Sequence, residues 1–213
     1  MSDEQALQAN EDDRTELEAE LLERRRAALS HVVQFGDPVL KSKASPVIQF
    51  GPELRAEVER MIDIMRDGMG VGLAATQLGV LRRLLVLQAS ADSEPTALVN
   101  PAIEWSSRET AVAEEACLSI PRVSMDVERP MHITVEGQDV DGDSVRLEAS
   151  GLEARVLQHE IDHLDGILIL DRAPRNQRKA ALRALREDEV YSPSVEEELA
   201  GSDGEHREPK HSA

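Results

Sequence analysis

The chain has 213 residues, 40% hydrophobic and 2% aromatic, so one domain with a core of mainly aliphatic side chains is expected. Most of its formal net charge of −18 sits at the ends: residues 1–26 carry nine acids against four arginines, and 187–213 nine acids against two basic residues. Two acidic ends exclude simple DNA binding. The lack of a basic-then-apolar leader, and of any eighteen-residue apolar run, implies a cytoplasmic protein without a membrane segment. A single cysteine, Cys117, excludes an internal disulfide framework and agrees with a reducing compartment.

Residues 1–29 read as an acidic extension, largely disordered, with a helical tendency from Glu16 through Arg26. Order is expected from about His31, followed by turn signals at Gly36, Asp37 and Pro38. From Pro52 to about Asp67, Leu54, Val58, Met61, Ile62 and Met65 recur at helical steps behind an initiating proline. A small-residue loop over 68–79 comes next. Residues 84–87, 97–99, 133–135 and 145–147 are strand-like, and Asp141-Gly142 marks a hairpin turn.

A second helix is expected over 152–164, a short buried strand over 167–170, and a last helix over about 174–187. Residues 188–213 form an acidic, apolar-poor tail expected to be disordered. Strands in one block with helices set apart point to an α+β fold.

Three segments carry chemistry. Residues 158–166 read Gln-His-Glu-Ile-Asp-His-Leu-Asp-Gly. On a helix, His159 and His163 share one face a turn apart and could grip one cation, with Glu160 beside them as proton carrier. Alone, the string fits a solvated helix face as well. Residues 70–77, Gly-Val-Gly-Leu-Ala-Ala-Thr-Gln, allow close backbone approach at the glycines and end on an amide that donates and accepts. Residues 114–121 contain Cys117, whose thiolate would give the histidines a third ligand and leave a fourth position open.

Together these segments resemble the peptide deformylases. The motif G-x-G-L-A-A-x-Q is met at 70–77 and Q-H-E-x-D-H-L-x-G at 158–166. E-G-C-L-S is met at 115–119 except that Ala116 replaces the glycine. The resemblance runs from about Val33 to Arg186 and implies a catalytic domain over 30–187. Its fold would be antiparallel β-sheets around a central metal-binding helix, with a C-terminal helix.

By the resemblance, Cys117, His159 and His163 would hold one divalent ion, Fe²⁺ in the first instance, with Zn²⁺, Ni²⁺ or Co²⁺ able to replace it. Glu160 would act as general base and then acid, and Gln77 and the Leu118 N–H would meet the oxyanion. Gly70, Val71, Gly72, Leu152 and Val156 would bind substrate, with Val71, Leu152 and Val156 forming the methionine pocket. For Val156, ordinary core packing is an equal reading.

The implied substrate is the N-formylmethionyl end of newly made proteins, with formate released by a monomeric enzyme. Arg175, Arg178, Lys179, Arg183 and Arg186 make a basic face on the last helix, read either as a solvated face or as a ribosome dock. Two other functions stay open at this point. One is a zinc peptidase; the other is a degenerate deformylase that binds nascent chains or ribosomes without efficient catalysis. Ala116 is expected to slow the enzyme if the family glycine is there for a positive φ, where a Cβ costs about 1 kcal/mol. Members of the family often carry a basic residue near Ser124, for which Arg122 or Arg129 could substitute.

Overall fold

The structure, a computed structural model, describes residues 3–90 and 92–194. Its helices are α1 (Asp3–Leu29), α2 (Pro52–Asp67), α3 (Gly151–Leu164), the single turn α4 (Ile169–Arg172) and α5 (Arg175–Glu187). Its strands are β1 (Gly72–Ala74), β2 (Leu84–Leu87), β3 (Thr96–Ser106), β4 (Thr110–Cys117), β5 (Ile120–Pro130), β6 (His132–Gln138) and β7 (Ser144–Ser150). Five strands pair antiparallel in the order β1-β2-β3-β6-β7, and β4 and β5 form a separate hairpin. This is the α+β arrangement of antiparallel sheets around a helix.

Continuous apolar runs are explained by layers on both faces. In β2, Leu84 and Val86 pack with Met61 and Met65 of α2, while Leu85 and Leu87 pack with Leu157 and Ile161 of α3. The strand therefore lies between two helices and is buried at every position. The α2 helix forms where its apolar spacing predicts, with Pro52 in its first turn and Leu54, Val58, Met61, Ile64 and Met65 buried.

The α3 helix is less usual, because Gln158, Glu160, Asp162 and His163 are buried along with Leu157 and Leu164. It touches β1, β2 and β7 of the large sheet and also β5 of the hairpin, so few of its positions reach solvent. Its apolar side anchors it; truncating Leu157 to alanine would cost about 2–5 kcal/mol. Gly166 ends the motif at φ 73, where a Cβ would lie 2.7 Å from the Lys41 carbonyl oxygen. Glycine is required there by conformation and by space.

Four expectations are revised. The extension expected to be largely disordered is helical over Asp3–Leu29, and Ala28 is buried against the α2 core. Residues 167–170 are not a strand: Leu168, Ile169 and Leu170 are buried, but 169–172 close into a helical turn as the Leu168 N–H donates to Asp171. The burial was legible there; a short apolar run does not distinguish strand from helix.

The acidic tail does not begin at 188. Tyr191 is buried, and its backbone bonds Arg122 and Ser124 on β5. From 195 the expected tail lies outside the described residues. Finally, 110–117 and 120–130 are strands that apolar alternation does not predict, because Glu114, Glu115, Arg129 and other charges interrupt it.

Candidate active site

The hairpin and α3 bring the three chemical segments together. Cys117 ends β4 at a register shift, where Cys117 pairs with Ile120 across a turn of Leu118 and Ser119. The bend turns its sulfur toward α3. Cys117 Sγ lies 3.2 Å from His163 Nε2, and His163 Nε2 lies 3.2 Å from His159 Nε2. All three ligand atoms fall within 4.8 Å of one another. Cys117 and His159 line a cavity of about 790 Å³, and His163 lies buried beside them.

Gln77 comes from a 3₁₀ turn over Ala75–Leu78 that follows β1. Its Oε1 accepts the Ala74 N–H at 2.9 Å, so its Nε2 is directed at Cys117 Sγ (3.6 Å) and Ser119 Oγ (3.3 Å). Glu160 follows His159 on α3 and approaches β1: a Cβ on Gly72 would come within 2.9 Å of Glu160 Cδ. The glycine makes room for the carboxylate.

The electrostatics leave a place for a cation. His163 Nε2 faces both Sγ and the other imidazole, and one N–H cannot serve two such partners. Burial works against charge on His159, yet its bonds to Cys117 and Glu115 outweigh this and raise its pKa. Burial pushes His163 the other way, and His159 adds to it. A soft thiolate with two imidazoles suits a first-row divalent metal, so the residues fit such an ion. Glu160 Oε2 is buried with no partner among the described residues, and burial pushes this carboxyl up to about 7.

Behind the ligands lies a buried ionic network. Glu115 Oε2 is 3.0 Å from His159 Nδ1, which orients the ring so that Nε2 points at the other ligands. Arg129 grips Glu115 through two bonds of 2.7 and 2.9 Å, and Arg155 adds a third at 2.7 Å. Arg129 also reaches Asp162 at 2.8 Å, and Asp162 in turn accepts from Arg172. Burial alone would raise the Glu115 pKa, but the bonds from His159 and Arg129 hold it at about 2.

The sequence model of the family described as Polypeptide deformylase matches residues 29–179. A peptide deformylase of Parafrankia sp. is 47% identical over 154 residues, 72% of this chain and 84% of that protein. Among solved structures, a Synechococcus elongatus peptide deformylase in complex with actinonin is similar with a TM-score of 0.70 and 37% identity. It covers 75% of this chain and 88% of its own. The Thermus thermophilus peptide deformylase has a TM-score of 0.70 and 40% identity, over 74% and 93% of the two chains.

The chain belongs to the polypeptide deformylase family.

The residues singled out from sequence converge on one cavity, except that His163, 1% exposed, lies beside Cys117 and His159 without lining it. Gln77, Cys117, Leu118, His159 and Glu160 line it, and so do Gly70, Val71, Gly72, Leu152 and Val156. Val71 and Leu152 are exposed, at 47% and 57%, and offer apolar surface in the open cleft. Val156 is 6% exposed and belongs to both the cavity wall and the α3 core cluster, so its two readings hold together.

Ala116 lies on β4 in an exposed position, and its φ is not positive. A positive φ is therefore no reason for a slower enzyme; Ala116 borders the cleft next to the register shift at Cys117. Arg122 and Arg129 also separate. Arg122 lines the cleft, whereas Arg129 is buried in the ion network. The network itself was not singled out from sequence. Glu115 and Asp162 fall inside two motifs and could have been suspected, but nothing local marks Arg129 or Arg155 as their partners.

Proposed function

We propose that the chain hydrolyses the N-formyl group of N-terminal formylmethionine on newly made proteins, releasing formate and a free α-amine. The observation that carries this reading is the convergence of ligand atoms of Cys117, His159 and His163 within 4.8 Å, beside the cavity that Cys117, His159, Glu160 and Gln77 line. These three residues would hold a divalent ion, Fe²⁺ in our reading, with Zn²⁺, Ni²⁺ or Co²⁺ able to replace it. When bound, the ion supplies Lewis-acid polarisation and lowers the pKa of water.

The chain's own residues do the rest. Glu160 accepts the proton of the attacking water at its carboxylate and returns it to the leaving nitrogen. Its buried setting, with a pKa of about 7, suits both directions near neutral pH. Gln77 Nε2 and the Leu118 N–H donate to the oxygen that gains charge as the formyl carbon becomes tetrahedral. Ala74 fixes the Gln77 amide beforehand, so no reorganisation is needed in the transition state. The backbone of 70–72 pairs with the substrate main chain as an added strand, and Val71, Leu152 and Val156 receive the methionine side chain.

Formate release from a formyl-Met peptide, measured with metal content for wild type and Glu160→Ala, tests the reading. Turnover by the metal-loaded wild type and none by the metal-loaded variant is expected. Internal cleavage of an unblocked peptide would instead mark a peptidase. A metal-loaded wild type with no turnover on any formyl-Met peptide would favour the binding-only alternative.

We read the protein as a cytoplasmic monomer; no described helix is long and apolar enough to cross a membrane. On α5, Ala181 and Ala184 face the core while Arg175, Arg178, Lys179, Arg183 and Arg186 are exposed. That stripe supports docking to ribosomal RNA near emerging chains. Such binding weakens steeply with salt, and co-sedimentation with ribosomes that survives charge reversal of the stripe rules it out.

A further inference from the structure

The family match begins at residue 29, so α1 lies outside it but for its last residue. Even so, Leu22, Arg25, Arg26 and Leu29 of α1 line the cavity that holds Cys117, His159 and Glu160. This end of the helix is tethered: Arg24 Nη2 lies 2.6 Å from Asp67 Oδ1 of α2, and Ala28 is buried with Met61 and Met65. One wall of the cleft is thus built by residues outside the family match.

The charges on that wall are free. Arg25 and Arg26 are exposed, and neither has an ion-pair partner among the described residues. The other charged groups around the opening are engaged. Arg122 pairs with Asp188 at 2.7 Å, and Arg155 is bound to Glu115. Glu114 keeps a negative charge there, with its oxygens taken up by Ser124, Ser192 and Ser194.

We infer that Arg25 and Arg26 are specificity-determining residues that favour substrates with an aspartate or glutamate downstream of the formylmethionine. This rests on the deformylase reading. With the formyl group at Cys117, His159 and His163, the remaining chain leaves through the open side of the cleft, which α1 borders. An extended peptide advances about 3.3 Å per residue, so positions a few residues beyond methionine pass the two guanidinium groups. Guanidinium forks bind carboxylates bidentately and repel lysine. Exposed pairs are individually weak, so a preference of about three- to tenfold is expected.

The test is kcat/KM for formate release from formyl-Met peptides carrying one Glu or one Lys at successive downstream positions. The proteins compared are metal-loaded wild type, Arg25→Gln with Arg26→Gln, Arg25→Glu with Arg26→Glu, and Arg14→Glu as a charge change away from the cleft. The Glu-to-Lys ratio should reach about three- to tenfold at one or two adjacent positions in wild type, expressed in KM. It should fall to about one in the glutamine pair, invert in the glutamate pair, and persist in Arg14→Glu. Raising salt to about 0.5 M should erase it. A wild-type ratio near one at every position, or an unchanged ratio in the charge-reversed pair, overturns the inference while leaving the deformylase reading intact. No turnover of any peptide overturns both.

Discussion

Glu115 Oε2 lies 3.0 Å from His159 Nδ1, and this one contact ties a metal-ligating ring to a buried ionic network. The carboxylate is 6% exposed and receives Arg129 and Arg155 on its other side. It therefore sets both the direction of the His159 lone pair and the charge balance behind the site.

Replacing Glu115 should weaken metal binding more than it alters the cleft. Glu115→Gln is expected to lose about 10–100-fold in metal affinity. Glu115→Ala should also cost up to about 3–5 kcal/mol, because buried Arg129 would keep only Asp162 as a partner. Competition with a chelator and urea unfolding would measure the two effects. Unchanged affinity in both variants would show that His159 is oriented without this contact.

The same residue predicts an acid dependence. Its pKa is about 2 in the fold against an ordinary 4.5, so its stabilisation is fully present above about pH 4.5. It is lost as pH falls toward 2. The shift corresponds to at most about 3 kcal/mol. Urea unfolding of wild type and Glu115→Gln between pH 6 and pH 3 should show wild type ahead at the upper end and the gap narrowing below pH 4.5. A gap that does not change with pH would contradict this assignment.

Glu160→Ala should lower kcat by about 10²–10⁴-fold while metal content is retained. The carboxylate is buried without a partner on Oε2, so its removal should not destabilise the fold. Formate release, metal analysis and thermal unfolding on one preparation would check all three. Activity within a few-fold of wild type would remove Glu160 from the proton transfer.

Two alanine–glycine exchanges should behave oppositely. Gly72→Ala places a Cβ within 2.9 Å of Glu160 Cδ and should cost at least tenfold in kcat by displacing the base, since even an ångström of misplacement can cost about a hundredfold. Ala116→Gly relieves no strain, since Ala116 is an ordinary exposed strand residue. It should bring no gain in rate and lose about 0.5–1 kcal/mol of stability. A faster Ala116→Gly enzyme would show that the methyl obstructs the substrate.

Much of the chemistry was legible because it is local. The His159–Glu160–His163 spacing needs only a helix, and the α2 helix needs only apolar residues at turn spacing and a leading proline. The run over 167–170 shows the limit: its burial was evident, but its conformation depended on Asp171 capping the Leu168 N–H. The β4–β5 hairpin was hidden for a related reason. Its inward charges, Glu115 and Arg129, break an apolar alternation and are tolerable only because they neutralise each other inside.

The reactive groups are legible in the chain before it folds: the thiol, the two imidazoles, the carboxylate between them and the amide of Gln77. Only the spacing of His159, Glu160 and His163 is local; packing of the hairpin on α3 brings Cys117 to them. Tertiary structure alone decided what surrounds them. Arg129, Arg155 and Asp162 meet Glu115 and His159 only when the hairpin packs on α3, and α1 borders the cleft only because Arg24 and Ala28 hold it to α2. Such contacts join residues far apart in the chain, and they pay their loop-closure entropy through the burial of the whole core.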